Sequence, residues 1–267
     1  MSKTEDSTVL SEIKDSVMYL TLNRPEVLNA IDDAMGRKLA TVLKNADLDN
    51  KVRVVVLTGQ GRAFTVGEDL NVNRKGYEEG KPLDLESTLR NKYNPLILRI
   101  RGMNKIVLAG INGVIAGAGI GIALSCDLRV AAESSSFHMA FNRVGLVPDS
   151  GTVYWLVKNV GLSKATELCF MDKPIKAKEA LDLHLVNAIY PDDKFREELE
   201  NLARSLAKGP TKAFELTKRA INKSLFSSLN DMLDYEAYLQ GIAGRSKDHL
   251  EGVKSFFEKR EPTFSGE

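Results

Sequence analysis

The stretch "NGVIAGAGIGIALSCDLRVA", residues 112 to 131, decides how the rest of the chain reads. It leaves a strand-like run, "KIVLAGING", passes through the glycine-bearing loop "AGAGIG", opens a helix and ends in a second strand, "LRVAAE" (128 to 133). Strand, glycine loop, helix and strand in such close order belong to a layered α/β core. The order recurs upstream, where "VRVVVLTG" (52 to 59) is a continuous apolar strand of the kind buried on both faces. It runs into "GRAFTVGEDL", a second glycine-bearing loop that is expected to open a helix.

A helix N-terminus offers unpaired backbone N–H groups and a positive dipole end. Two such ends converging on one point would supply paired donors for a carbonyl oxygen that turns negative in a transition state. "GAGIG" also has the look of a dinucleotide fingerprint, but Ala118 replaces a glycine and no acid sits on a following strand.

Outward from these loops, "VMYLTLN" (17 to 23) reads as a strand, and a helix starts at Asp32 or Asp33 with Met35, Leu39, Val42 and Leu43 on one face. A polar excursion, "NRKGYEEGKPLD", precedes a helix from about Leu85 to Met103. Helices are expected at 151–160, 163–171 and 176–183, then a short strand, "LVNAIY". From Asp192 the signal is helical, near 193–208, 210–225, 229–241 and 246–259. In the second of these, Phe214, Thr217, Ile221 and Leu225 form one apolar stripe, with Lys212, Lys218, Arg219 and Lys223 off it on a solvated face.

The chain has 267 residues, with 37 basic side chains against 36 acidic for a net charge of +1. No global field draws it to nucleic acid or to an anionic membrane. Cys126 and Cys169 lie in apolar surroundings, and the three histidines show no ligand spacing, so neither a disulfide framework nor a metal site is expected. The polar, acidic start and the lack of any apolar run of about 18 residues make the cytoplasm the expected compartment, with no membrane association.

Asp149 is the one ionisable side chain in "VGLVPDSGTVYWL" (144 to 156). Pro148 presets a turn, Asp149 or Ser150 can cap a following helix, and Gly151 tolerates unusual dihedrals. A carboxylate between apolar runs is also a residue type for proton transfer, so turn and catalyst both stand at this point.

The segments "LNRPEVLNAI", "VVVLTGQGRAFTVGEDL", "NGVIAGAGIGIALSCDLRVA", "FHMAFNRVGLVPDSGT" and "EGVKSFFEKREPTFSGE" resemble, in this order and over residues 8 to 264, the crotonase superfamily, also called the enoyl-CoA hydratase/isomerase family. The resemblance implies an α/β spiral of ββα turns over 1–191 that carries an acyl-CoA site. It also implies a helical C-terminal region, 192–267, that drives assembly into a homotrimer or hexamer. Coenzyme A would enter as part of the substrate, with no separate cofactor and no metal. By position, the backbone donors fall on Val66 and Ala118, and the substrate-binding positions on Arg24, Val27, Ala63, Phe64, Gly67, Asp69, Leu70, Gly117, Gly119 and Phe141, while Lys259, from the last helix of a neighbouring subunit, would reach the phosphates, with Arg260 an alternative.

The two glutamates used by hydratases of this family fall on Gly121 and Phe141, so that carboxylate pair is absent. A third acid/base position falls on Asp149, as in the family's single-acid isomerases, those acting on ring-1,2-epoxyphenylacetyl-CoA or moving a Δ3 double bond to Δ2. The implied activity is double-bond isomerisation through a thioester enolate, with Asp149 as acid/base. Hydration, or acyl-CoA binding without turnover, is the alternative. Phe137, Phe141, Leu146 and Trp155 are expected to line a dry site around the acid.

Overall fold

In the computed structural model, which describes residues 5–267, the apolar runs become two sheets that advance in step. A short helical turn, α1 (Glu5–Thr8), leads into β1 (Val9–Lys14), which pairs antiparallel with β2 (Val17–Leu22). Each later long strand is followed by a short one: β3 (Val54–Gly59) by β4 (Ala63–Thr65), β5 (Ile106–Ile111) by β6 (Val114–Ala116), and β7 (Leu128–Ala132) by β8 (Ser136–His138). The short strands, with β9 (Ile175–Lys176), form a four-stranded sheet in the order β4-β6-β8-β9. The long ones, with β10 (Ala188–Tyr190), form a six-stranded sheet in the order β1-β2-β3-β5-β7-β10.

A helix closes each turn of this spiral. These are α2 (Asp33–Leu48), a group made of α3 (Arg74–Glu78), α4 (Leu85–Thr88) and α5 (Asn94–Gly102), then α6 (Ala118–Ser125), α7 (Thr152–Met171) and α8 (Ala177–Asp182). The side chain of Asp32 accepts from Met35 N–H at 2.8 Å, and this N-cap starts α2. Gly161, at φ 75°, breaks α7 where the sequence separates two helices.

Alternation along the strands explains their continuous apolarity. Val55 and Leu57 face the main core, while Val54 and Val56 face a second one, built with Phe195, Leu199 and Ala203 of α9 (Phe195–Lys208). Cys126 is a core residue, and burial pushes its thiol up to about 12, out of reach of thiolate chemistry.

Three expectations need correction. The second sheet and β1 are not read from the sequence: strands of two or three residues are too short to show a period, and β1, though six residues long, is exposed beyond Val9 and carries no apolar run. The helix expected over 85–103 holds a wide turn at Leu89–Tyr93, just before Pro95, whose missing N–H breaks the regular ladder. In α10 (Thr211–Ser224), Leu216 and Lys218 are buried, whereas Thr217 and Ile221 of the expected stripe are exposed. Lys218 is no surface charge: its ammonium donates to Ile100 O, Lys105 O and Asp127, joining the helical region to the core.

The chain ends in α11 (Leu229–Ala243) and α12 (Lys247–Glu258). No helix among the described residues is long and apolar enough to cross a membrane.

Candidate active site

Between the end of β4 and the start of α6 lies a cavity of about 170 Å³. Its wall includes Val66, Leu70, Gly117, Ala118, Phe141, Leu146 and Asp149 from the sequence reading, together with Glu68, Tyr93 and Leu89. The two glycine loops meet here. A Cβ on Gly67 would lie 2.9 Å from the Ala118 nitrogen, and one on Gly117 would lie 3.5 Å from Val66 O. Both glycines have positive φ, 82° and 54°, a conformation that favours glycine, and at Gly67 the close approach leaves no room for a side chain either. Ala118 is the first residue of α6, where an amide has no acceptor within the helix. The first loop differs from expectation: it opens a 3₁₀ turn at Leu70–Asn73, capped by the side chain of Asp69, not a helix at Val66.

Asp149 reaches the cavity from the turn before α7, and its backbone settles the local question. Thr152 N–H donates to the Asp149 carbonyl at 2.8 Å, while Gly151 takes the N-cap position of α7 without any side-chain cap. The carboxylate therefore does not cap the helix. Its one hydrogen bond comes from Ser150 Oγ at 2.9 Å. Burial raises its pKa, the Ser150 hydrogen bond opposes that, and the nearby Glu68 charge adds to the rise. The turn itself rests on α6. A Cβ at Gly121 would fall 2.3 Å from Ser150 O, so the backbone of the Asp149 turn occupies the space beside this glycine.

Facing Asp149 is a carboxylate the sequence reading passes over. Tyr93 Oη donates to Glu68 Oε2 at 2.8 Å, and Lys92 Nζ lies 2.9 Å from the same carboxylate. Lys92 also donates to Asp33 at 2.8 Å. Tyr93 is 1% exposed and its pKa is raised by burial and by Glu68, so it remains a donor. Lys92 and Tyr93 end the wide turn that Pro95 imposes on this helix.

The family model for enoyl-CoA hydratase/isomerase matches residues 12–267. The chain belongs to this family. It is 40% identical to the 1,2-epoxyphenylacetyl-CoA isomerase of Escherichia coli over 258 residues, covering 97% of this chain and 98% of the relative. Over 259 residues it is 41% identical to a Rhodobacter capsulatus protein assigned as an enoyl-CoA hydratase, with the same coverage. The crystal structure of a Mycobacterium abscessus protein assigned as an enoyl-CoA hydratase/isomerase superposes with a TM-score of 0.92 at 33% identity, covering 97% of this chain and 100% of that one.

In this member of the family, several carried-over residues stand apart from the cavity wall. Asp69 is 3% exposed and pairs with Arg24 at 2.9 Å, and Arg24 also lies 3.2 Å from Asp32 and donates to Ala30 O. The pair ties the 67–70 loop to the 24–32 segment, a structural task that occupies the guanidinium. Ala63 and Phe64 are buried in β4, Val27 ends a 3₁₀ turn, and Gly119 packs on Thr65, where a Cβ would meet Thr65 O at 2.8 Å. Lys259 follows α12, exposed on the outside of the chain where a neighbouring copy could meet it, and Arg260 is engaged by Glu251 and Glu258. Phe137 lies in the core, and Trp155 donates to Ser125 Oγ at 3.0 Å, so of the four expected lining side chains Phe141 and Leu146 reach the cavity.

In the loop after β4, Val66, Glu68 and Leu70 reach the cavity wall while Asp69 turns away to Arg24, a distinction that no sequence pattern carries. Tyr93 shares a helical face with Leu85 and Leu89.

Proposed function

We propose that the protein is an acyl-CoA isomerase that moves a double bond through a thioester enolate, with Asp149 as the acid/base. The observation that carries this reading is the carboxylate of Asp149 itself. It faces an otherwise largely apolar cavity, with no capping duty and one hydroxyl partner. The amides of Val66 and Ala118, brought together by the two glycine loops, would bind the thioester oxygen. A C–H bond of the substrate breaks, its proton passes to Asp149, and the electron pair delocalises onto that oxygen. The carboxylic acid then returns the proton to another carbon, a new C–H bond forms and the enolate collapses to the shifted alkene. The raised pKa suits a group that must hold the proton between the two steps.

Coenzyme A takes part only as the substrate's carrier, and no separate cofactor or metal enters the scheme. Within the class, substrates of the epoxyphenylacetyl type and aliphatic Δ3-enoyl thioesters both match a single-acid site. Hydration is the second reading, favoured by the presence of Glu68 as another carboxylate on the wall. Gly121 and Phe141 offer neither acid nor base at the positions that hydratases use.

A panel of enoyl-CoA thioesters followed by mass spectrometry and ultraviolet absorbance separates the two readings. Isomerisation leaves the mass unchanged and shifts the absorbance, whereas hydration adds a water. Turnover of crotonyl-CoA to its hydrate at about 10⁴ M⁻¹s⁻¹ or more would overturn the isomerase assignment.

We also propose a homotrimer or hexamer. Phe170 is 76% exposed, Phe226 78%, Phe256 79% and Phe257 75%, more aromatic surface than a lone chain leaves in water. Light scattering should give a trimer's mass or twice that at micromolar concentration, and a monomer there sinks the assembly.

A further inference from the structure

We infer that Glu68 determines acyl specificity: its fixed carboxylate excludes acyl groups that end in an anion and admits neutral tails of the same size. This rests on the reading of the cavity as the acyl-CoA site. Four facts of geometry carry it.

Glu68 lies on the cavity wall, on the side shared with Val66 and Leu70. Both of its oxygens have donors, Tyr93 Oη on one and Lys92 Nζ at 2.9 Å, so the side chain cannot swing away from an arriving charge without losing both. The ammonium of Lys92 offers no compensating attraction, because it already lies between Glu68 and Asp33, at 2.8 Å from the latter. Asp149, the other acidic side chain on the wall, is again a carboxyl group.

Among the described residues, the charged groups hydrogen-bonded together at this end of the cavity are one cation, Lys92, and two carboxylates, Glu68 and Asp33, and Asp149 adds a further carboxyl group to the wall. The rest of the wall is mostly apolar, so little stands between these charges and a bound acyl tail. Like charges in such a setting repel by several times the thermal energy, even at the effective dielectric of a protein surface. A neutral tail meets no such cost, and a tail with an N–H or O–H can use the remaining lone pairs of Glu68 as acceptors. A purely structural Glu68, serving only to tie the 66–70 loop to Lys92 and Tyr93, would not distinguish two thioesters that differ only in charge.

Saturated thioesters test this by binding alone, without turnover. Adipoyl-CoA and succinyl-CoA carry a terminal carboxylate, and their ω-amides are isosteric and neutral. Hexanoyl-CoA and butyryl-CoA supply the apolar reference. By calorimetry near neutral pH, the wild-type protein should bind at least one ω-amide about 10-fold or more tightly than the matching ω-carboxylate, the factor set by about 1.4 kcal/mol of repulsion.

Glu68→Gln keeps a carbonyl to accept from Tyr93 and leaves Lys92 with Asp33, and it should cut that ratio to near one. Equal affinities for carboxylate and amide in the wild-type protein overturn the inference, with no variant needed. An unchanged ratio in a folded Glu68→Gln protein removes Glu68 as its cause and overturns it too. A protein that binds the apolar thioesters but fails to discriminate loses this inference alone. One that binds no acyl-CoA loses the site reading, and the inference with it.

Discussion

Replacing Asp149 by Asn should lower kcat by about 10²–10⁴, the usual contribution of a general acid/base, on whichever acyl-CoA the wild-type protein turns over. Affinity for that thioester should persist, because the backbone amides of Val66 and Ala118 are untouched. The local structure should persist as well. The hydrogen bond that closes the turn runs from Thr152 N–H to the backbone carbonyl, and an asparagine oxygen can still accept from Ser150.

Stability should move the other way from activity, and the sign follows from the carboxylate's surroundings. Burial, aided by the charge of Glu68, raises the folded-state pKa of Asp149 above its ordinary 3.8. The native protein therefore holds this proton more tightly than the unfolded chain does. The associated stability is fully present below the ordinary value and is lost as pH rises through the folded-state value. Above its folded-state value the wild-type protein carries a buried charge that the amide lacks, so in that range the variant should unfold at an equal or higher temperature. That advantage should fade as the medium is acidified toward the ordinary carboxylate value.

For the wild-type protein, kcat/KM should fall on the acid side with a midpoint above 3.8, and the variant should show no such limb. Solvent deuterium should enter the substrate's α or γ position with the wild-type protein and not with Asp149→Asn. A folded Asp149→Asn protein of normal activity would make the residue a turn element and leave the reaction without its base.

Much of this site is legible before any coordinates, and the parts that are not have particular causes. The glycine loops announce themselves because close backbone approach demands glycine, and Gly67 and Gly117 stand where a side chain would collide or a positive φ is needed. The long strands show as apolar runs because both faces of the larger sheet are covered. The smaller sheet leaves no trace, because three residues of pairing have no period to detect.

Glu68 and Asp69 are adjacent acids with opposite fates, one on the cavity wall and one bound to Arg24. Composition cannot separate them, and the loop after β4 has no regular period that would. Lys218 misleads for a related reason: a lysine reads as a solvated charge until two carbonyls from the 100–105 segment and Asp127 are placed around it. Such partners lie about a hundred residues away in the chain, beyond any local pattern.

Gly121→Ala should be costly although it adds a single methyl group. In an exposed helix the change from Gly to Ala is favourable by about 1 kcal/mol. Here the added carbon would sit 2.3 Å from Ser150 O and 2.8 Å from Ser150 Cβ, where ordinary contact begins near 3.4 Å. The obstacle is backbone, and Ser150 is itself held at φ 53° with Gly151 at φ 78° beyond it, so the turn has little freedom to rotate away. Either the turn or the helix must move by about 1 Å, a misplacement that can cost about 10²-fold in rate.

Both options damage the same geometry. The turn carries Asp149, and α6 carries Ala118 one helical turn before Gly121. The glycine thus fixes the distance between the proposed base and one of the proposed oxyanion donors. Overpacking of this kind should also lower stability by about 1–3 kcal/mol. Gly102→Ala is the matched control, since a Cβ there meets nothing within 4 Å, and it should be neutral or mildly stabilising.

The same contact explains why adding a carboxylate at position 121 should not create a hydratase: Gly121→Glu would displace the Asp149 turn before its own acid found a place. Gly121→Ala is therefore expected to show a lower unfolding midpoint and a kcat reduced by about 10²-fold, beside an unimpaired Gly102→Ala. If Gly121→Ala keeps full activity and stability, the turn and α6 are not in the close contact described, and the coupling of Asp149 to Ala118 through this glycine fails.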